Sequence, residues 1–145
     1  MNIKLVKTKS ADSKFLYDLR NSSEIRFVSI NRKKISLNEH SKWFSSLEKN
    51  KHSYSYVINY NSRKIGYIRT FRSNKNNLIS IALIKKYRNK KIGRKSLLIF
   101  ETKTKLKNLT AYVLKTNYKS LNFFFSCNYY IENQKKNIFI MKKSK

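Results

Sequence analysis

The spacing of apolar residues changes from helical to extended and back to helical along this chain, and this change restricts the fold. Residues 54–60, 65–71 and 78–84 alternate with period two, and segments rich in Asn and Ser separate them. Three such runs in succession predict an antiparallel meander. Helical spacing on both sides of the meander predicts an α+β domain in which helices cover the sheet.

Two helices are predicted before the meander. Asp12 or Ser13 can cap the first helix, and Ser36 with Glu39 forms a capping box for the second. A short irregular or helical piece at 25–30 separates them, and a first strand at 3–6 precedes them. The apolar sides consist of Phe15, Leu16 and Leu19 in the first helix, and of His40, Trp43, Phe44 and Leu47 in the second.

The second half of the chain alternates helices with strands. The spacing predicts helices at 92–104 and 117–126 and strands at 109–114, 129–131 and 138–141. The side chains expected to face the core are Leu97, Leu98 and Phe100 in one helix, and Leu121, Phe124 and Phe125 in the other. The pattern as a whole predicts a mixed, mostly antiparallel sheet of six or seven strands flanked by helices.

The length and the cysteine content indicate a single small domain. We interpret 1–145 as one domain whose basic end, 142–145, is a disordered tail. No apolar run reaches 18 residues, and residues 1–10 lack the apolar segment of a secretory signal, so we expect no membrane span. Cys127 is the one cysteine, which excludes an internal disulfide and favours no metal site. These features fit a cytoplasmic protein.

The net charge of +27 arises from 34 Lys and Arg residues against 7 Asp and Glu residues. A polyanionic partner such as nucleic acid could explain the excess. Codon usage in an AT-rich genome explains it better, because Lys, Asn and Ile are abundant and proline is absent. The basic residues are also spread along the whole chain. We therefore predict no specific nucleic-acid partner, although the positive field favours anionic substrates.

Residues 79–94 resemble the acetyl-CoA segment of the GCN5-related N-acetyltransferases, in which a strand leads through Arg-Gly-x-Gly-x-Gly/Ala into a helix. The matching residues are Arg88, Asn89, Lys90, Lys91, Ile92, Gly93 and Arg94. Gly93 keeps one glycine position, and Asn89 and Lys91 occupy the two others. The resemblance implies the acyl-CoA N-acyltransferase fold, with acetyl-CoA as co-substrate and no metal. A solvated basic loop before a helix is the alternative interpretation.

Backbone geometry explains why such a segment binds a phosphate group. Successive N–H groups at a helix N-terminus attract a pyrophosphate, and the helix dipole adds to this attraction. Asn tolerates the left-handed backbone conformation of glycine better than Lys does, so lysine charge has to compensate at Lys91. The resemblance further implies that a backbone N–H at Leu83, or at its neighbour Ile84, meets the thioester carbonyl.

A second resemblance covers residues 109–129, which are similar to the strand–Asn–helix segment of the same family. It implies that Asn117 lies beside the pantetheine arm of the co-substrate. It also implies that Phe124 takes the position of a tyrosine that protonates the leaving thiolate. Phe124 has no hydroxyl, so water, Tyr118 or Tyr129 would have to replace it. A chain that binds acetyl-CoA without efficient catalysis is the alternative.

A third resemblance concerns the acceptor. Leu19-Arg20-Asn21, followed by Ile35-Ser36-Leu37-x-x-His40-x-x-Trp43, is similar to the N-terminal region of the pseudaminic-acid-pathway acetyltransferases. Those enzymes acetylate the 4-amino group of a UDP-linked amino sugar. The resemblance implies substrate contacts from Arg20, Asn21, His40 and Arg69, and it makes Glu39 and His40 candidates for the general base.

Several alternatives stay open at this point. Packing or salt bridges could occupy each of these acceptor-side residues instead of a substrate. The acceptor could also be a protein N-terminus or a lysine, and the chain could be a non-catalytic acetyl-CoA-binding module. A homodimer is compatible with all of these interpretations.

Overall fold

The computed structural model describes residues 2–144 and contains one seven-stranded sheet with the order β1-β2-β3-β4-β5-β7-β6. Its strands are β1 (Ile3–Lys7), β2 (Tyr54–Tyr60), β3 (Arg63–Ser73), β4 (Asn76–Leu83), β5 (Leu109–Leu114), β6 (Tyr129–Lys135) and β7 (Ile138–Lys143). Neighbouring strands pair antiparallel, except that β4 and β5 are parallel. The predicted mixed, mostly antiparallel sheet is therefore confirmed.

In the described part of the chain, five α-helices accompany the sheet. They are α1 (Ser13–Asn21), α2 (Ser23–Val28), α3 (Leu37–Lys49), α4 (Ile92–Thr104) and α5 (Tyr118–Ser126), and short 3-10 turns cover Ser10–Asp12 and Lys85–Tyr87. The side-chain oxygen of Ser36 accepts a hydrogen bond from the Glu39 N–H and so begins α3, as its position before an apolar stripe predicts. Between residues 2 and 144, no helix is long and apolar enough to cross a lipid bilayer.

The apolar side chains form two clusters, one on each face of the sheet. On β2, Ile58 packs into the larger cluster with α4 and α5, whereas Val57 packs into the smaller cluster with α1, α2 and α3. This alternation is the period-two pattern seen in the sequence. Leu97 and Phe100 of α4 are completely buried in the larger cluster. The meander is thus the central layer, and each helix group covers one of its faces.

Two side chains that were expected in the core lie at the surface instead. Leu98 and Phe125 are each 46% exposed. Successive residues of an α-helix point about 100° apart, so Leu98 turns away from the side that Leu97 and Phe100 bury. In the same way, Phe125 turns away from the side of α5 that buries Phe124 and is exposed to solvent. A run of adjacent apolar residues does not by itself show which of them faces the sheet.

The prediction of a disordered tail at 142–145 is wrong for its first residues. Lys142 and Lys143 are the last residues of β7, and Lys142 pairs with Thr110 of β5. The Lys142 ammonium donates to the Asn76 side-chain oxygen at 2.7 Å, and the Lys143 ammonium donates to the Cys127 carbonyl at 2.6 Å. Both lysines are therefore held by strand pairing and by their head groups. Lys145 lies outside the described residues.

The turns of this fold use a left-handed backbone without glycine. Nine non-glycine residues between 2 and 144 have a positive φ, and both glycines have a negative one. The nine residues are Asn61, Ser62, Asn74, Asn89, Lys91, Lys105, Asn108, Asn128 and Lys136. Asn is the commonest of them, in agreement with its tolerance for this region.

Gly66 has a different role, because β3 and β4 approach each other closely at this residue. It pairs with Leu83, and the register of β2 with β3 shifts beside it, between Ile58 and Asn59. A Cβ atom at residue 66 would overlap the carbonyl oxygen of Ala82 and lie 2.8 Å from Cδ2 of Leu83. The backbone oxygen cannot rotate away as a side chain could. Glycine at this position therefore lets the end of β4 lie against β3.

We expect Gly66→Ala to lower the free energy of unfolding by about 1–3 kcal/mol, the usual cost of overpacking a core. Urea denaturation followed by circular dichroism measures this change. Gly93→Ala is the control, because the closest atom to its added Cβ is a ring atom of Phe123 at 3.1 Å, which can shift. Equal stability of the two variants would contradict the close-approach argument.

Candidate active site

An opening between β4 and β5 lies at the centre of the sheet. Within residues 2–144, the parallel pairing of these strands covers two positions, Asn77 with Leu109 and Leu78 with Thr110. β4 continues to Leu83 beyond this pairing. Because backbone groups inside a sheet normally have a partner strand, the end of β4 presents hydrogen-bonding groups that a substrate can use.

The orientation of these groups follows from the ladder with β3. The Ile84 N–H donates to the Ile65 carbonyl at 2.8 Å, so the Ile84 amide faces β3. Neighbouring residues of an antiparallel strand point to alternate sides, so the N–H and C=O of Leu83 face the opening. Asn77 lies an even number of residues before Leu83, so its backbone groups face the same way. Its N–H donates to the Asn108 carbonyl, on the β5 side, at 3.0 Å. Of the two predicted residues, Leu83 therefore offers a backbone donor to a substrate, and Ile84 does not.

The loop that follows β4 adopts the backbone shape of a glycine-rich segment. Arg88 is extended, with φ −78° and ψ 160°, and Asn89 and Lys91 have φ angles of 60° and 63°. These are the two residues that replace glycine, and both take the left-handed conformation that glycine adopts easily. Left-handed residues next to right-handed ones turn successive N–H groups towards one point, which forms an anion-binding concavity.

The N-terminus of α4 completes this concavity. The Lys91 carbonyl accepts the first hydrogen bond of the helix, from the Lys95 N–H at 3.1 Å. The N–H groups of Ile92, Gly93 and Arg94 precede that bond and belong to the donors that a helix leaves free at its start. The exposed Lys90, Lys91 and Arg94 add positive charge at the same end. This donor set fits a diphosphate.

Arg88 makes different contacts from the rest of the loop. Its Nε donates to the Leu83 carbonyl at 3.0 Å, and its Nη1 lies 3.4 Å from the carboxylate of Glu24. Lys85 lies 3.7 Å from the other oxygen of that carboxylate. The guanidinium predicted to bind the co-substrate is therefore engaged with β4 and with α2.

Helix α5 contributes Phe123 to the site, a residue that the sequence interpretation missed. A Cβ at Gly93 would lie 3.1 Å from Cε1 of Phe123 and 3.6 Å from Cδ1 of Leu83, so these residues adjoin the start of α4. Phe124, which was predicted to contact the co-substrate, is 5% exposed and packs between Phe123 and Tyr129. Three consecutive phenylalanines gave no signal of which one faces the opening.

The predicted proton donors are placed unequally. The Tyr129 hydroxyl is buried and donates to the Glu101 carboxylate at 3.2 Å. Burial raises the pKa of Tyr129 far above its usual range, and the Glu101 charge raises it further, so this hydroxyl holds its proton. Tyr118 is 70% exposed at the first residue of α5. Asn117 caps α5, with its side-chain oxygen accepting from the Ser120 N–H at 3.2 Å.

On the other face of the sheet, a second group of predicted residues does come together. The Arg69 guanidinium lies over two aromatic rings, 4.5 Å from the centre of Trp43 and 4.6 Å from that of Tyr67. His40 lies 5.6 Å from Trp43, ring centre to ring centre. A planar cation that lies over aromatic rings is restricted in orientation and keeps its N–H groups available at its edge.

His40 is 5% exposed, and its Nε2 lies 3.0 Å from the Ser13 hydroxyl. Burial lowers the pKa of His40, and the positive charge of Arg69 lowers it further. The hydrogen bond with Ser13 acts in the opposite direction and is outweighed. The imidazole is therefore neutral near pH 7. Glu39 is exposed in the first turn of α3, and its N–H donates to the side chain of Ser36, which caps the helix.

Arg20 has an incomplete set of hydrogen bonds. Its Nη2 donates weakly to the Asn31 carbonyl at 3.4 Å, and its Nη1 is buried with no partner among the described residues. Burial lowers the pKa of Arg20, and the nearby positive charge of Arg69 also lowers it. Asn21, by contrast, has hydrogen-bond partners for both ends of its amide, because it donates to and accepts from the backbone of Ile35 at 2.9 and 2.8 Å. Asn21 thus holds the loop before α3.

The comparisons with known proteins agree with this geometry. The sequence profile of the acetyltransferase (GNAT) family matches residues 15–129, which is more than half of the chain. This chain belongs to the GNAT family of acetyltransferases. No curated protein sequence matches this GNAT acetyltransferase significantly.

Within residues 2–144, no three His, Cys, Asp or Glu side chains are grouped as metal ligands would be.

Solved structures show the same fold. A domain from Methanocaldococcus jannaschii is 22% identical, with a TM-score of 0.82 and 97% of each chain covered. The spermidine N-acetyltransferase of Vibrio cholerae, in complex with CoA and spermine, is 15% identical, with a TM-score of 0.79, covering 97% of this chain and 92% of the other. The Campylobacter jejuni N-acetyltransferase PseH, in complex with acetyl coenzyme A, is 17% identical, with a TM-score of 0.71 and 97% of each chain covered.

The left-handed conformation of Lys91 leads to a test of the loop. We expect Lys91→Val to lower the free energy of unfolding by about 1–2 kcal/mol or more, because a β-branched residue fits this conformation poorly. Lys91→Gly should change it by less than about 1 kcal/mol, since relief of strain is offset by a more flexible unfolded chain. Chemical denaturation measures both. Lys90→Val is the control, because it removes the same charge from the preceding residue, which has no positive φ. If Lys90→Val lowered the free energy of unfolding as much as Lys91→Val does, this explanation would be contradicted.

Proposed function

We propose that this acetyltransferase moves the acetyl group of acetyl-CoA to the amino group of a nucleotide-linked amino sugar. The observation that carries the proposal is the buried Nη1 of Arg20, which has no partner among residues 2–144 and lies near the aromatic-held Arg69. A buried donor without a partner is costly, so a bound acceptor should supply oxygen atoms at this place. Phosphate and sugar oxygens match this requirement.

The charges around the acceptor residues argue against a polyamine. The chain has seven side-chain carboxylates, and five of them are already paired with lysine or arginine side chains. The paired ones are Asp12, Asp18, Glu24, Glu101 and Glu132. The other two, Glu39 and Glu48, are exposed on α3. A polycation would therefore approach Arg20 and Arg69 without a buried counter-charge, whereas a nucleotide diphosphate would be attracted.

The co-substrate residues lie around the opening between β4 and β5, and the acceptor residues lie on the face of the sheet that α1, α2 and α3 cover. The N–H groups of Ile92, Gly93 and Arg94, with Lys90 and Lys91, would hold the pyrophosphate of acetyl-CoA. The Leu83 N–H would donate to the thioester carbonyl and stabilise the negative charge that develops there. Acetyl-CoA supplies the activated acetyl group, and the chain itself supplies positions and hydrogen bonds.

The transfer needs little proton chemistry from side chains. The amine lone pair forms a C–N bond with the carbonyl carbon, the C–S bond breaks, and the amine loses a proton to water. The sulfur leaves as a thiolate with an ordinary pKa of about 8–9, so water can return its proton. Phe124 has no hydroxyl and the Tyr129 hydroxyl is bonded to Glu101, which leaves water or the exposed Tyr118 as the donor. Most of the rate enhancement would come from holding the reactants together.

One prediction of this proposal concerns the co-substrate. In a thermal unfolding titration at physiological salt, acetyl-CoA at about 100 times its dissociation constant should add roughly 2.7 kcal/mol of stability. ATP at the same concentration is the control for non-specific attraction to a chain of net charge +27. Equal shifts with the two ligands would contradict a dedicated acetyl-CoA site and favour a general polyanion-binding surface.

Another prediction of this proposal concerns the acceptor. With a UDP-linked 4-amino sugar, Arg69→Gln should raise the KM for the sugar about 10- to 100-fold, since a charge-assisted hydrogen bond contributes roughly 1.5–3 kcal/mol. The dissociation constant of acetyl-CoA should not change. Arg72→Gln on the same strand is the matched control, because Arg72 is exposed and bonded to the carbonyl of Asn74. Turnover of spermidine or of an acidic peptide, but not of the sugar, would overturn the proposal.

A further inference from the structure

The carbonyl of Leu83 depends on a side chain for its hydrogen bond. It faces the opening, beyond the two positions at which β5 pairs with β4. The Arg88 Nε fills this place and donates to it at 3.0 Å. A carbonyl at the end of a strand without such a donor would be free to tilt or to be hydrated. The contact therefore fixes the direction of the backbone at the residue whose N–H faces the substrate.

The guanidinium that makes this contact is itself held. Its Nη1 lies 3.4 Å from the Glu24 carboxylate in the first turn of α2, and the Arg88 side chain is 34% exposed. Ile25, the next residue of α2, is buried in the same apolar cluster as Ala82 of β4. Glu24 therefore lies on a helix that shares an apolar cluster with the strand it helps to hold.

We infer that Arg88 is a positioning residue, which keeps the Leu83 backbone directed at the thioester carbonyl and is itself kept in place by Glu24. The inference rests on the proposed role of Leu83. It assigns to Arg88 a task other than binding the pyrophosphate, which falls to the N–H groups and lysines of the loop. It also links α2, next to the acceptor residue Arg20, to the place where the acetyl group is polarised.

Two contributions to binding can be separated without an acceptor. Free CoA uses the pyrophosphate site and has no thioester carbonyl, whereas acetyl-CoA has both. The infrared stretch of acetyl-CoA labelled with 13C at the carbonyl moves to lower wavenumber when the carbonyl oxygen accepts a hydrogen bond. The stretch of the bound ligand therefore reports the Leu83 contact, and the dissociation constant of CoA reports the phosphate contacts.

We expect the wild-type protein to shift the carbonyl stretch to lower wavenumber and Arg88→Met to return it to the value in solution. The dissociation constant of CoA should stay within about threefold in this variant, since a lost phosphate contact of roughly 1.4 kcal/mol or more would change it tenfold. Glu24→Gln should lose part of the shift and serves as the second variant if Arg88→Met does not fold. Lys85→Gln removes a neighbour of the same carboxylate that does not contact Leu83, and it should keep the full shift.

The outcomes distinguish the inference from the proposal on which it rests. If the wild-type protein binds acetyl-CoA without a carbonyl shift, the role of Leu83 is wrong, and the inference falls with it. A shift that persists in Arg88→Met overturns the inference alone. A tenfold or larger loss of affinity for CoA in Arg88→Met also overturns it, because Arg88 would then be a phosphate ligand. An equal response of Glu24→Gln and Lys85→Gln would remove Glu24 from the arrangement.

Discussion

The short parallel pairing between β4 and β5 is the constraint on which the other functional features depend. Because this pairing covers Asn77–Leu109 and Leu78–Thr110, the remainder of β4 directs Leu83 into an opening in the middle of the sheet. Helix α4 begins beside this opening, and Gly93, Phe123 and Leu83 lie in contact distance there. A sheet with complete pairing would bury the same backbone groups and leave no place for a substrate between its halves.

Much of the fold was predictable because its signals are local. The bounds of α4 and β5 agree with the predicted 92–104 and 109–114, since each begins and ends with a change of periodicity. Strand β7 was harder, because Lys142 and Lys143 look like a solvated tail until Asn76 and the Cys127 carbonyl are known to lie beside them. Partners from distant parts of the chain have no signature in the local sequence.

The candidate site divides in the same way. The loop from Arg88 to Arg94 was predictable as a unit, because it follows a strand and precedes a helix. Individual roles were not: Arg88 contacts Leu83 and Glu24, Asn21 holds the loop before α3, and Phe123 rather than Phe124 reaches Gly93. Each of these assignments depends on side-chain direction across elements that are far apart in sequence. On the acceptor side, the proximity of Arg20 and Arg69 joins residues 49 positions apart, which no spacing rule could have indicated.

The left-handed residues of this chain show that the loop before α4 can take the shape of a glycine-rich segment without glycine at those positions. Asn89 and Lys91 hold φ angles of 60° and 63° where glycine would be unstrained. A left-handed lysine strains the folded chain by about 1–2 kcal/mol, whereas a lysine in place of glycine restricts the unfolded chain and so returns about 0.4–1 kcal/mol of stability. These effects have opposite signs, so a chain encoded with few glycine codons can keep the fold although other residues replace the glycines of this segment. Searches that look for glycine spacing would pass over such proteins, whereas a search for alternating left- and right-handed residues before a helix would find them.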